Sequence, residues 1–257
     1  MAELKGTIWC LHGAVGMAGD WRGLAVPGWA VKRVDLWRFL DCCPMSLAEF
    51  GAALNREAAA TEGRKVLLGY SMGGRLALHA LLGSSCGESP QPRPAAGRRS
   101  HPWDAAVVVS AHPGLDEGRE ARRAKDAEWA AMALKGSWGE FLAKWEGQSV
   151  LSGAAKGLGD RRKLELRRQA VARSFVDWSL GAQEALSERV EEIECPLLWV
   201  AGERDAKFRE LAERIEQGRN APSPFELRVV PGAGHRVPWE CDEFPAMIGE
   251  FLERSLS

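Results

Sequence analysis

Charge of one sign is what this 257-residue chain lacks: 34 Lys and Arg stand against 35 Asp and Glu, a formal net charge of -1. Such a balance gives no bulk electrostatic pull toward nucleic acid or an anionic membrane. Tyrosine occurs once, at Tyr70, beside eleven tryptophans. The six cysteines (Cys10, Cys42, Cys43, Cys86, Cys195, Cys241) form no CxxC pair and no metal-ligand spacing, which excludes a thioredoxin-like motif or a zinc ribbon and fits a reducing compartment. No metal or other cofactor is implied. No apolar run reaches the roughly 18 residues of a membrane span, and Met1-Ala2-Glu3-Leu4-Lys5 lacks the charged-then-apolar layout of a signal peptide. The expectation is a cytoplasmic protein with neither a membrane nor a nucleic-acid partner.

What is present is an alternation. Short apolar runs at 7–12, 29–35, 65–70, 105–110, 196–201 and 225–230 are bounded by turn signals and read as strands. Helical stretches at 46–61, 71–82 and 240–256 fall between or after them, the first opened by a capping box of Ser46 and Glu49. That order predicts an α/β fold with a mostly parallel sheet and flanking helices. Residues 83–103, rich in Gly, Ser, Pro and Arg, read as an exposed flexible insertion. Residues 115–190 contain no strand-like run but helical ones at 116–134, 138–145, 160–175 and 182–190. They read as a helical cap over the C-terminal strand edges, where open parallel sheets bind ligands. Residues 1–114 and 191–257 then form the core.

Gly69-Tyr70-Ser71-Met72-Gly73 fits G-x-S-x-G between a strand and a helix, the context of a nucleophile elbow. A serine on so sharp a turn needs small residues two before and two after it, so that the helix can pass close to the strand. Such a serine needs a base and an acid following it in the order Ser, Asp, His. His79 lies inside the helix after the elbow and His101 in the insertion, while His12 and His112 follow strands and could line a pocket. His235, in Pro231-Gly232-Ala233-Gly234-His235 after the last strand, is the candidate base. Asp205 at the end of the preceding strand is the first choice of acid, and Glu203 the second. The backbone N–H groups of Ala14, in Leu11-His12-Gly13-Ala14, and of Met72 would form an oxyanion hole.

Together these motifs resemble the α/β-hydrolase fold over nearly the whole chain, apart from 83–103. Narrower features resemble one family, the 2-succinyl-6-hydroxy-2,4-cyclohexadiene-1-carboxylate synthases, pyruvate-eliminating lyases of menaquinone biosynthesis. The carriers are Gly69-Tyr70-Ser71-Met72-Gly73-Gly74-Arg75, similar to G-Y-S-[LM]-G-G-R, and Gly202-Glu203-Arg204-Asp205-Ala206-Lys207-Phe208, similar to G-E-x-D-x-K-F. Ser110-Ala111-His112-Pro113-Gly114-Leu115 is similar to the family's S-x-x-P-G-L. Further matches are Arg122, Asp126 and Trp129, then Trp145 following Phe141, and Gly181-Ala182-Gln183.

The resemblance implies a cofactor-free lyase in which Ser71, His235 and Asp205 relay a carbon-bound proton and pyruvate is expelled. The substrate would be a small anionic polycarboxylate, so cations should face the pocket. Arg75 lies one helical turn from Ser71 on the same face, and Arg122 and Arg168 project from the cap. Guanidinium–carboxylate pairing is the chemistry that favours arginine there. Tyr70 would supply a hydroxyl or a wall, Trp145 a wall, and Lys207 and Phe208 could simply pack the acid loop. The chain departs from the family at His235-Arg236-Val237, where a small or amide residue often follows the histidine, and at Ala14, often bulkier. Two rival readings use the same residues: a serine hydrolase forming an acyl-enzyme on a small ester or thioester, and a non-catalytic binding protein.

Overall fold

The structure, a computed structural model, describes residues 4–83, 100–153, 155–219 and 224–257. Within them β1 (Gly6–Leu11), β2 (Trp29–Val34), β3 (Arg64–Tyr70), β4 (Ala105–Val109), β5 (Leu197–Gly202) and β6 (Phe225–Val230) form one sheet in the order β2-β1-β3-β4-β5-β6. Every neighbouring pair is parallel. A parallel sheet covered on both faces wants apolar residues on both sides of each strand, and β4 (Ala-Ala-Val-Val-Val) is buried throughout. Alternation divides the strands between two cores. Trp9, Leu11, Leu67 and Val108 join the core packed by α1 (Leu47–Ala59) and α2 (Met72–Leu82). Ile8, Cys10, Leu68 and Val109 face the other way. The strands match their expected spans to within about one residue at either end.

The α1 start bears out its signature: Ser46 Oγ accepts from the Glu49 N–H at 3.2 Å, and Glu49 Oε2 accepts from the Ser46 N–H at 2.7 Å. Between β4 and β5 run α3 (Arg119–Lys135), α4 (Trp138–Glu146) and α5 (Arg168–Asp177). After β5 comes α6 (Ala206–Gln217), a helix not anticipated from the sequence, which packs Ala212 and Ile215 against the sheet. Its start is the segment carrying Asp205, so the acid motif obscured an ordinary amphipathic pattern.

Other expectations need correction. The stretch 160–175 is two pieces, a 3-10 turn at Arg161–Arg167 and then α5. A tertiary bond and a local cap shape the first piece: Arg161 is held by Asp20, and Asp160 accepts from the Arg162 N–H at 3.1 Å. The stretch 182–190 holds only a 3-10 turn, Ser187–Glu192. Its beginning is tied instead to the loop after β4, where the Pro113 carbonyl accepts from the Leu186 N–H at 2.7 Å. The helix expected at 240–256 starts only at Phe244, as α8 (Phe244–Ser255), and a separate short helix, α7 (Val237–Glu240), precedes it; each has proline in its first turn. Phe244, Ile248 and Phe251 of α8 complete the second core.

Most of the expected 83–103 insertion lies outside the described residues. Its last residues are not exposed: His101 and Trp103 are buried, Trp103 meets Trp9 edge-on at 5.6 Å, and its indole N–H donates to Asn55 Oδ1 at 2.7 Å. An aromatic this large joins the core wherever it can reach it. Among the described residues no helix is long and apolar enough to cross a membrane.

The strand order reverses between β1 and β3. The loops leaving their C-terminal ends diverge there, opening the crevice in which doubly wound sheets hold ligands.

Candidate active site

Ser71 stands at that crevice, between β3 and α2. Its backbone is held at φ 53°, ψ -111°, outside the favoured regions for a side chain. Such strain costs about 1–3 kcal/mol and persists only where the surroundings impose it. Here they do. The Ser71 N–H donates to the Val109 carbonyl of β4 at 2.8 Å. A Cβ on Gly69 would strike the Gly73 carbonyl, and one on Gly73 the Leu11 carbonyl. The turn therefore closes only around glycine.

His235 Nε2 lies 3.0 Å from Ser71 Oγ, and His235 Nδ1 lies 2.6 Å from Asp205 Oδ2. The histidine arrives on the loop after β6 and the aspartate from the residue capping α6. Phe208, one turn into α6, packs its ring against the imidazole at 4.5 Å. Glu203, the second choice of acid, points elsewhere and accepts from the Gly232 N–H at 2.8 Å, bracing the histidine loop. With Nδ1–H directed at the carboxylate, Nε2 is free to accept the serine proton. An Asp–His–Ser chain of this geometry can remove a proton from a bound molecule or activate the serine itself.

The loop after β1 forms the adjoining wall. It bends through Val15 at φ 52°, a strained value for a β-branched residue. The Tyr70 ring fills the space where a Gly13 Cβ would sit. It also packs on His235 at 5.5 Å and edge-on to Trp239 at 4.8 Å, and burial pushes its hydroxyl well above the ordinary range. The hydroxyl therefore stays protonated, and the ring forms part of the wall. His12, considered as a pocket residue, is instead buried inside the loop: Nδ1–H donates to the Gly13 carbonyl at 2.9 Å and Nε2 accepts from the Leu36 N–H at 3.4 Å.

A cavity of about 270 Å³ lies over Ser71 and His235. Ala14, Met72 and Tyr70 form its floor, Trp145, Gln148 and Leu151 part of its roof, and Arg75, Arg122 and Lys207 its charged lining. Among the described residues no carboxylate lines it. Arg75 is buried, and its guanidinium donates to two neutral acceptors, Gln183 Oε1 at 3.0 Å and the Trp178 carbonyl at 2.8 Å. Burial, with Arg122 nearby, pulls its pKa down to about 10, so it stays cationic at neutral pH. Arg122 Nε donates to Asp126 Oδ1 at 2.8 Å, and Asp126 also accepts from Ser179 Oγ at 2.8 Å. Partial desolvation and the Arg122 charge lower the pKa of Lys207. His112, at the cavity edge, is pushed down to about 4 by burial and by Lys207, and its Nδ1 accepts from the Gly114 N–H. It is therefore neutral.

Arg168 does not reach the cavity. Its guanidinium donates to the Ala133 and Gly136 carbonyls at 2.9 and 2.7 Å, closing the C-terminal end of α3. The sequence placed it wrongly because the 3-10 turn before α5 shifts the helical phase. Gln148, Val150, Leu151 and Leu180 line the cavity without having been singled out in the sequence, and Lys207, considered there only as packing for the acid loop, joins its charged lining. A second, more open groove of about 920 Å³ runs from Pro113 to Arg219 and shares His112 with the cavity, but contains none of Ser71, Asp205 and His235. Among the described residues no group of three His, Cys, Asp or Glu side chains is placed to hold a metal ion.

The elbow on a parallel sheet, with Ser, Asp and His brought together in that chain order, defines a class, and a profile of the alpha/beta hydrolase family matches residues 10–246. The chain belongs to that family and is an enzyme of its fold. Among curated proteins it is 30% identical over 247 residues to 2-succinyl-6-hydroxy-2,4-cyclohexadiene-1-carboxylate synthase of Serratia proteamaculans, covering 91% of this chain and 87% of that protein. It is 31% identical over 227 residues to the enzyme of the same name from Pectobacterium atrosepticum, covering 82% and 83%. Among solved structures, MenH from S. aureus is similar with a TM-score of 0.82 at 23% identity, covering 100% of this chain and 96% of that one. A malate-bound esterase from Thermogutta terrifontis is similar with a TM-score of 0.66 at 18% identity, covering 100% and 92%. Likenesses at those identities establish the fold alone.

Proposed function

We propose that this enzyme is a lyase that eliminates pyruvate from 2-succinyl-5-enolpyruvyl-6-hydroxy-3-cyclohexene-1-carboxylate, leaving 2-succinyl-6-hydroxy-2,4-cyclohexadiene-1-carboxylate. The observation that carries this reading is the cavity over Ser71: among the described residues Arg75, Arg122 and Lys207 line it and no carboxylate does. A neutral ester has no use for that lining, whereas a polycarboxylate does. The relatives named for this reaction support the same reading.

The names of substrate and product fix the electron flow. The ring carbon bearing the succinyl group loses a proton, its electrons form the first double bond, the existing alkene shifts one position, and the ring C–O bond breaks to release pyruvate as its enolate. Ser71 Oγ, giving its own proton to His235 Nε2, takes the carbon-bound proton. Asp205 holds the imidazole in the required tautomer and stabilises the imidazolium. Charge developing on the succinyl ketone oxygen meets the N–H groups of Ala14 and Met72. The Met72 N–H is free for this because it belongs to the first turn of α2, which has no intrahelical acceptor. Arg75 and Arg122 pair with substrate carboxylates, Trp145 and Tyr70 confine the ring, and the helical segment 115–190 acts as a cap that excludes water. No acyl-enzyme forms. The enzyme acts in the cytoplasm without a cofactor.

The same Ser–His–Asp geometry would also serve ester hydrolysis through an acyl-enzyme, so the test runs both substrates. Purified protein is incubated with the enolpyruvyl precursor while pyruvate is followed, and with a p-nitrophenyl ester in parallel. Pyruvate release is expected; brisk ester turnover without pyruvate would defeat the lyase reading. Arg75→Ala should lower kcat/KM on the precursor by about a hundredfold, the worth of one charge-assisted pair in a dry site. It should leave the neutral ester nearly unaffected.

A further inference from the structure

Arg75 is unusual less for being buried than for the company it keeps. Among the described residues no carboxylate is ion-paired with it, and the one whose charge reaches it, Asp126, is engaged by Arg122 and Ser179. A buried guanidinium is ordinarily matched by an acid. Here the matching position is taken by Gln183, which is 0% exposed. Its Oε1 accepts from Arg75 Nη1 at 3.0 Å and its Nε2 donates to the His112 carbonyl at 3.1 Å. A guanidinium only donates and a carbonyl only accepts. Of the side chains of that length, a carboxamide alone can satisfy both without adding charge. A glutamate would satisfy Arg75 but cancel it, and would set a carboxylate oxygen against the His112 carbonyl. A leucine would satisfy neither.

We infer that Gln183 is a specificity-determining positioning residue: its neutral amide orients Arg75 while leaving the guanidinium charge uncompensated, so that a carboxylate entering the cavity supplies the counter-ion. This rests on the proposed carboxylate-binding role of Arg75. It assigns to a residue outside the cavity lining the job of keeping that site available for anions. The structural arrangement is economical, because the same amide ties the 179–186 loop to the segment after β4 that carries His112.

Gln183→Glu, which keeps the shape and adds the charge, is the decisive variant, with succinate as the dicarboxylate probe. Calorimetric titration should show succinate binding weakened about tenfold or more, as expected when an internal carboxylate competes for one charge-assisted pair. The precursor KM should rise similarly with kcat retained, and the ligand-free unfolding midpoint should stay near that of the native protein, because the new Arg75–carboxylate pair offsets the lost bond to the His112 carbonyl. Gln183→Leu should lower the midpoint instead. A purely structural role for Gln183 predicts that Glu and Leu lower the midpoint alike and that kcat falls with it. Succinate affinity unchanged in Gln183→Glu, or no succinate binding by the native protein, would overturn the inference. Pyruvate release by native enzyme alongside a Gln183→Glu variant of unaltered affinity would leave the proposed function standing and remove only this assignment. Succinate binding that responds to Gln183→Glu, with no pyruvate released, would do the reverse.

Discussion

At the scale of single residues, two buried side chains on α2 contrast. Arg75 donates to Gln183 and the Trp178 carbonyl and lines the cavity; His79, one turn further on, is buried with neither ring nitrogen bonded to a protein atom among the described residues. Burial first, then the Arg75 charge, pushes the His79 pKa from 6.5 down to about 4. Between those values the unfolded chain takes up a proton that the folded chain excludes. The stability that neutral His79 permits is therefore fully present above pH 6.5 and is lost as pH falls toward 4. His79→Leu should be close to neutral at pH 7 and should gain on the native protein as pH falls to 5, read as urea midpoints. Parallel pH profiles for the two proteins would refute this. The position of His79 inside a helix marked it in the sequence as structural. Its missing partners could not be read there, because they depend on what packs against that face.

At the scale of elements, the sheet was legible because strands buried on both faces leave continuous apolar runs, as in 105–110 and 196–201. The elbow was legible because its glycines are sterically obligatory. The segment between β4 and β5 was less so, since its shape follows from tertiary bonds: Asp20 holds Arg161, Gln183 holds the His112 carbonyl, and local periodicity yields to both. Arg168 shows the consequence. Read as part of one long helix it faces the substrate, but on α5 it closes the end of α3. Arg168→Ala should destabilise the protein by about 2 kcal/mol, the scale of a lost charged hydrogen bond to backbone. It should leave the precursor KM unchanged, because the cavity is untouched. A large KM rise without loss of stability would return Arg168 to the site.

At the scale of the whole molecule, a net charge near zero conceals a sorted distribution. The cavity gathers Arg75, Arg122 and Lys207 and leaves Arg75 without an acidic partner among the described residues, while the contact between the helical segment and the sheet-bearing core pairs its cations directly. Arg161 grips both carboxylate oxygens of Asp20, which also accepts from the Met17 and Gly159 N–H groups. Arg236, the unexpected residue after His235, pairs with Glu146 at the end of α4, next to Trp145. That departure from the family pattern thus joins the histidine loop to the roof of the cavity, a contact no sequence spacing reveals. Asp20→Ala strands the mostly enclosed Arg161 guanidinium and two backbone N–H groups and should cost about 3 kcal/mol. Urea unfolding measures it, and a loss well below 1 kcal/mol would show that the pair does not hold the two parts together.

The central claim, that Ser71 relays a proton and carries no acyl group, is tested most directly by the mass of the ring product formed from the enolpyruvyl precursor. Elimination predicts the cyclohexadiene together with pyruvate, no covalent adduct on Ser71 in quenched enzyme, and loss of both products in Ser71→Ala. A ring alcohol heavier than the diene by one water, or an adduct on Ser71 that accumulates during turnover, would contradict it.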